Sequence, residues 1–377
     1  MKLDGVKVLD LSLFLPGPML TLMMADHGAD VIKVEPVGEG EPSRHIGLST
    51  NDLTVWFRNT HRGKRSVQLD LKSAEGQAAF WALAGEADVL VEAFRPGVVD
   101  RLGVGYEAVK AVNPGIVYCS ISAFGQTGPY RDRPAHDLAV EALAGLVALN
   151  EGQDGKPAMP GLMAADALAS LTALSGVLMA LLRREKTGQG DHLDVAMLDS
   201  LMAWTPNATG PVFAGGRANL PKAERSWGGA AMFNLYECAD GRWIVLGGSE
   251  VKFAANLLEA LGRLDLLDYG KLSPGPGQEP LRAFFRETFR TRSQAEWESW
   301  FEGRDICFAP VRSLKAAFDD PAVAARGMIA RDADGNAVVG TPLVFREEPG
   351  RVDPRAPDLD EHAGQGWHAA RPRPPRS

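Results

Sequence analysis

The chain has 377 residues, 45% hydrophobic and 23% charged, which is the composition of an ordinary globular protein with room for two domains. Forty basic against 48 acidic side chains give a formal charge of −8 and disfavour nucleic acid as a general partner. The three cysteines (Cys119, Cys238, Cys307) are far apart, which argues against a disulfide scaffold or a zinc site. The expectation is therefore a soluble cytoplasmic protein with no metal, no signal peptide and no apolar run long enough to cross a bilayer.

In chain order, Val6 to Leu11 reads as a buried strand, followed by the Pro16-Gly17-Pro18 turn, a helix over Met19 to His27 and a strand over Asp30 to Glu35. A second unit of the same kind follows: a strand at Val67 to Leu71, a helix opened by Ser73 and running to Glu86, and a strand at Asp88 to Glu92. A short helix over Tyr106 to Val112 stops at Asn113-Pro114, and Ile116 to Ser122 is a further strand. Two apolar, small-residue helices are predicted over Asp137 to Leu149 and over Leu162 to about Lys186, the second closed by Gly188. His192 to Met197 returns as a strand. Alternating strands and helices imply an α/β fold with a Rossmann-like, mostly parallel sheet.

The pattern changes after about residue 205. Gly210 to Gly229 is rich in Gly, Pro and charge. A hairpin follows, Met232 to Cys238 and Arg242 to Gly247 around Asp240-Gly241, then a helix over Val251 to Leu261. Ser293-Gln294-Ala295-Glu296 is a capping box that opens a helix containing Trp297 and Trp300. The expected organisation is a large domain over 1–208, a smaller α+β domain over 209–325, and a C-terminal return to the large domain over 326–377. Met328 to Phe345 has strand character around a turn at Asp334-Gly335, and the basic, proline-rich end after Trp367 has the composition of a mobile tail.

Several residues have two readings. His136, with Asp137 beside it, starts a helix: it is either a structural cap or a base, with Asp166 thirty residues on as a second proton-transfer group. The first βα turn at Pro16 lacks GxGxxG, and no P-loop occurs, so hydride transfer with a dinucleotide and ATP hydrolysis are unsupported. The run Arg58 to Arg65, including Lys64 and Arg65, is either a solvated face or, with Arg44 and Arg95 in neighbouring loops, a polyphosphate site. The loop around Gly125 is either a turn or a set of amides facing an enolate oxygen. Glu250 either opens a helix or orients an imidazole. No G-x-S-x-G motif supports serine hydrolysis.

Together these segments resemble the family III CoA-transferases, a group that contains both CoA-transferases and α-methylacyl-CoA racemases. The likeness is carried by Leu3 to Asp10, Pro16-Gly17-Pro18, Ala25 to Pro36, Lys64 to Lys72, Phe94 to Val98, Gly125 to Pro129 and Lys186 to Gly190. It implies an acyl-CoA substrate, no cofactor beyond that coenzyme A, and two subunits interlocked like chain links. It also implies that Pro16, Leu71, Lys72 and Arg95 lie at the CoA site, with Pro36 standing where several relatives have an arginine. The leading expectation is inversion at C2 of a 2-methyl-branched acyl-CoA, with His136, held by Glu250, and Asp166 on opposite faces. That preference rests on the histidine at 136, where transferases commonly carry an aromatic residue, on the racemase-like hairpin Tyr236 to Arg242 and on Glu250. The alternative is CoA transfer between acids through an aspartyl-CoA thioester at Asp166, favoured by the Ala-rich helix that follows it.

Overall fold

The computed structural model describes residues 1–152 and 154–368; the tail segment predicted beyond 368 lies outside them. Six strands form one sheet: β1 (Lys7–Asp10), β2 (Asp30–Glu35), β3 (Arg65–Gln68), β4 (Val89–Glu92), β5 (Val117–Ser122) and β6 (Asp191–Ala196). Their order is β3-β2-β1-β4-β5-β6 and every pairing is parallel. The order reverses between β1 and β4, and sheets of this kind bind ligands beyond the carboxyl ends of the strands at that reversal. β4 and β5 are buried along their whole length, as strands of a parallel sheet covered on both faces are.

The chain divides into two compact units. The first comprises Met1–Ala144, Leu162–Trp204 and the chain from Asp320 on; the second comprises Gly145–Gly161 and Thr205–Asp319. The boundaries therefore differ from the predicted 1–208 and 209–325, because residues 145–161 join the second unit. The helix predicted as continuous from Asp137 to Leu149 ends at Leu143, and Gly145 adopts φ +83° before a separate turn at Leu146–Leu149. A positive φ is tolerated by glycine and ends helical propagation.

In the first unit, helix α1 (Pro16–Asp26) follows β1 directly, with Pro16 at its first turn, where a missing N–H costs nothing. A side chain at Gly17 would collide with Ser12, so only glycine permits this close approach of helix and loop. Helix α2 (Val55–His61), capped by the Thr54 hydroxyl, was not foreseen. Helix α3 (Ala74–Ala84) begins at Ser73 and helix α4 (Tyr106–Val112) follows Gly105, both as expected. Helix α5 (Asp137–Leu143) leads to helix α6 (Ala164–Thr187), which buries Ala165, Ala169, Ala173, Val177 and Leu181 at a spacing of four. Contrary to expectation, α6 is long and apolar enough to cross a bilayer by length and composition alone. Its outer face carries Leu171, Leu178, Met179 and Leu182, exposed by 44, 39, 65 and 66%.

The second unit contains an antiparallel sheet of β7 (Phe233–Glu237), β8 (Trp243–Gly247) and β9 (Phe308–Pro310), in the order β9-β8-β7. Tyr236, Phe285, Phe289, Trp297 and Phe301 form its core. The capping box at Ser293 and Glu296 is made as predicted, opening the helix Gln294–Phe301. The late ribbon, Ile329–Arg331 with Ala337–Val339, returns to the first unit, where Arg62 donates to the Val339 carbonyl and Arg58 pairs with Asp332 at 3.0 Å.

Candidate active site

Two cavities lie in the first unit beyond the ends of β1 and β4. One, of about 360 Å³, has Phe14, Pro16, Arg95, Arg133, His136 and Asp166 among its walls. The other, of about 550 Å³, is mostly apolar and includes Pro36, Leu69, Leu71 and Lys72. Leu13 and Phe94 line both. His136 and Asp166, the pair singled out from sequence, thus share one cavity at the topological reversal of the sheet.

Asp166 sits in the first turn of α6, and the acids of α5 hold that turn in place. Asp137 Oδ1 accepts a hydrogen bond from the Asp166 amide at 3.0 Å, and Glu141 Oε1 accepts one from the Ala164 amide at 2.8 Å. These bonds satisfy two of the N–H groups that a helix start leaves open, and Met163 supplies no side-chain cap. Asp137, expected to be catalytic, acts here through the backbone of its neighbour. Burial, then the charges of Asp137 and Glu141, push the Asp166 carboxyl from an ordinary 3.8 up to about 7. Glu141 is raised in the same direction, mainly by burial; it is fully buried and its Oε2 has no hydrogen-bond partner among the described residues. Sequence reasoning missed Glu141, because a glutamate four residues into an apolar helix looks like its solvent face.

Glu141→Gln should keep the bond to Ala164, since an amide oxygen still accepts, while removing a nearby negative charge. The pH midpoint of any reaction that needs ionised Asp166 should move down by a fraction of a pH unit, because burial, which is the larger cause, remains. A pH–rate profile checks this.

His136 stands at the N-cap position of α5, but its side chain makes no capping bond. The imidazole is exposed, meets the Phe14 ring edge-on at 6.1 Å, and has no hydrogen-bond partner among the described residues. Phe14 itself adopts φ +64°, a conformation that costs a non-glycine residue about 1–3 kcal/mol. The Glu41 carboxylate holds it there by accepting from the Phe14 amide at 2.9 Å. Nothing in the run Leu13-Phe14-Leu15 signals this strain.

The basic cluster is neither a solvated face nor a phosphate cradle. Arg58, Arg62, Lys64 and Arg65 are 6, 1, 4 and 6% exposed. Lys64 reaches Asp10 at 3.1 Å and the Pro18 carbonyl at 2.9 Å; Arg65 makes two bonds to Asp30 at 2.9 and 2.7 Å. Arg44, one of the candidates for the polyphosphate site, is buried between the Phe57 ring and Glu35, with two bonds of 2.7 Å to that carboxylate. Burying unpaired charge is prohibitive, so each of these cations is committed to an acid of the same unit, and they are withdrawn from the CoA-contact set. Lys72 and Arg95 are exposed, with no ion pair among the described residues, and remain in it.

The loop around Gly125 also departs from expectation. The Gly125 amide donates to Ser122 Oγ at 3.0 Å and the Gln126 amide to the Asp194 carboxylate at 3.0 Å, so both are already satisfied and unable to serve an enolate. Glu250 belongs to the second unit, is exposed, and opens the helix Val251–Ala260 without a side-chain cap bond.

The model of CoA-transferase family III matches residues 3–363. The chain is 32% identical to an acetyl-CoA:oxalate CoA-transferase of Acetobacter aceti, over 95% of this chain and 93% of the relative. It is 31% identical to a succinate–glutarate CoA-transferase of Agrobacterium fabrum, over 96% and 94%. Among solved structures, a CAIB/BAIF family protein from Brucella suis superposes with a TM-score of 0.84 at 30% identity, covering 96% of this chain and 97% of that one. The parallel sheet with its cavity at the β1–β4 reversal and the full-length match agree: the chain belongs to CoA-transferase family III.

Proposed function

We propose that the protein transfers coenzyme A between carboxylic acids, with Asp166 as the nucleophile. The observation that carries this reading is a carboxyl group in the first turn of α6, lining the cavity at the sheet's reversal, in a chain whose relatives above bear CoA-transferase names. With its proton affinity raised to about 7, Asp166 ionises in the neutral range and its carboxylate is able to attack. Its carboxylate adds to the thioester carbonyl of the donor; the C–S bond breaks, giving an acyl-aspartyl anhydride and CoA thiolate. The thiolate then attacks the Asp166 carbonyl, releasing the donor acid as a carboxylate and leaving an aspartyl-CoA thioester. The acceptor carboxylate repeats the two exchanges in reverse and regains CoA. Each step swaps one leaving group for another, so no external proton is required. The names of the relatives, oxalate and succinate–glutarate, point to dicarboxylic acids as the class of acceptor.

The apolar cavity with Leu71 and Lys72 suits the nucleotide end of CoA, with Arg95 at its border for phosphate and the turn at Pro16 beside the thioester. The racemase reading keeps one specific support: His136 and Asp166 line the same cavity. Against it stands an imidazole that no carboxylate of its own unit orients, together with the satisfied amides at Gly125 and Gln126. Incubating the enzyme with a 2-methylacyl-CoA in heavy water, with and without an acceptor acid, separates the two by mass spectrometry. Transfer gives a new CoA ester only when acceptor is present, with no deuterium at C2. Inversion gives one deuterium at C2 without any acceptor.

The exposed apolar face of α6 supports the homodimer that the family resemblance implies, since a continuous stripe of this kind is rarely left in water. Leu182→Glu should convert the assembled form to monomer or aggregate, as read by light scattering, at a position near the opposite end of α6 from Asp166. An unchanged mass at micromolar concentration would remove α6 from the contact.

A further inference from the structure

The Asp166 cavity holds more positive charge than a thioester carbonyl requires. Three arginines line it, Arg95, Arg131 and Arg133. Arg131 is occupied: its Nε donates to the Gln126 carbonyl at 2.9 Å and its guanidinium pairs with Asp132 at 2.7 Å. Arg95 and Arg133 have no carboxylate partner among the described residues; Arg133 lies over the Tyr130 ring at 5.2 Å.

Position separates these two. Arg95 adjoins Phe94, which lines both cavities, so it stands at the border towards the nucleotide end. Arg133 stands on the segment leading into α5, three residues before His136, and no residue of that segment lines the second cavity. In a thioester laid from one cavity to the other, the phosphates are at the far end from the reacting carbonyl. A guanidinium on the Asp166 side therefore has the acyl chain as its neighbour.

We propose that Arg133 selects acids carrying a second carboxylate, binding that distal group while the first reacts at Asp166. The assignment rests on the transfer reading above. A guanidinium matches a carboxylate with two parallel N–H bonds, and Arg133 lines the same cavity as Asp166 with no acid of its own among the described residues. An acid lacking the second carboxylate leaves that cation without its partner, which is how a charged site rejects an uncharged analogue of the same length.

The test is isotope exchange with the full-length enzyme: labelled succinate with succinyl-CoA against labelled butyrate with butyryl-CoA, which share a four-carbon chain. Wild type should exchange succinate in clear preference to butyrate. Arg133→Gln should narrow that ratio by about tenfold or more, through a raised KM for succinate and not through kcat. Arg133→Lys, which keeps the charge but loses the fork, should fall between them, and matching thermal melts establish that each variant is folded. Exchange without preference in wild type, or a preference that Arg133→Gln preserves, overturns the role of Arg133 alone. No exchange of either acid overturns the transfer reading and this assignment together.

Discussion

Asp166→Asn is expected to abolish CoA transfer and, at the same time, to make the protein more stable above neutral pH. The first effect follows because an amide is a far weaker nucleophile than a carboxylate and cannot form the anhydride; a loss of about a thousandfold or more in rate is expected. The second follows from linkage. The carboxyl holds its proton more tightly in the folded chain, about 7 against 3.8, so the native state binds the extra proton between those values. Stability therefore falls as pH rises through that window and stays low above it. At about 1.4 kcal/mol per unit of pKa difference, the ionised group costs the fold up to about 4 kcal/mol. Asn removes this cost. Denaturant titrations should show a gain at pH 8 that disappears near pH 4; equal stability at both pH values would mean that the carboxyl is not desolvated as described.

Lys64→Met should destabilise the first unit by about 3 kcal/mol, without the signature of a lost phosphate contact. Asp10 is fully buried, which alone would raise its proton affinity, yet it is held ionised, at about 2, by Lys33 and Lys64 together with hydrogen bonds from Ser12 and Thr21. Removing Lys64 leaves Asp10 with Lys33 at 3.8 Å and the donors Ser12 and Thr21, and takes from the Pro18 carbonyl one donor, leaving it the Thr21 hydroxyl at 3.3 Å. That carbonyl lies in the turn that opens α1 beside the active cavity, so the buried pair also supports the shape of the site. The double variant Asp10→Asn, Lys64→Met should recover part of the loss, because the buried carboxylate that has lost its nearer cation is gone. Chemical denaturation measures both; a Lys64→Met protein of normal stability but with weakened CoA binding would return Lys64 to the ligand.

Much of the first unit was legible before any coordinates. Asp30 to Glu35 and Tyr106 to Val112 form where apolar runs and helix stops predict them, and the hairpin turns at Asp240-Gly241. These signals are local: a run of β-branched residues, a Pro after Asn113, a turn that needs glycine. His136 and Asp166 were legible as a pair, since each borders an apolar helix in the stretch between two strands of the parallel sheet, β5 and β6. The basic run was not, because its partners Asp10, Asp26, Asp30 and Asp332 come from distant parts of the chain, and a cation's sequence neighbours do not reveal what neutralises it. The same holds for Glu141, whose importance comes from α6 folding back over α5, and for Arg133, which is distinguished only by lacking the partner that Arg131 has. The amides at Gly125 and Gln126 were misread because Asp194, which occupies one of them, lies on β6, nearly seventy residues away.

The measurement that bears most directly on transfer through Asp166 is peptide mapping after reaction with an acyl-CoA in the presence of hydroxylamine. An aspartyl-CoA thioester or acyl-aspartyl anhydride would be captured as a hydroxamate on residue 166, and that modification is the predicted result. An unmodified Asp166 in enzyme that is turning over substrate would contradict covalent transfer.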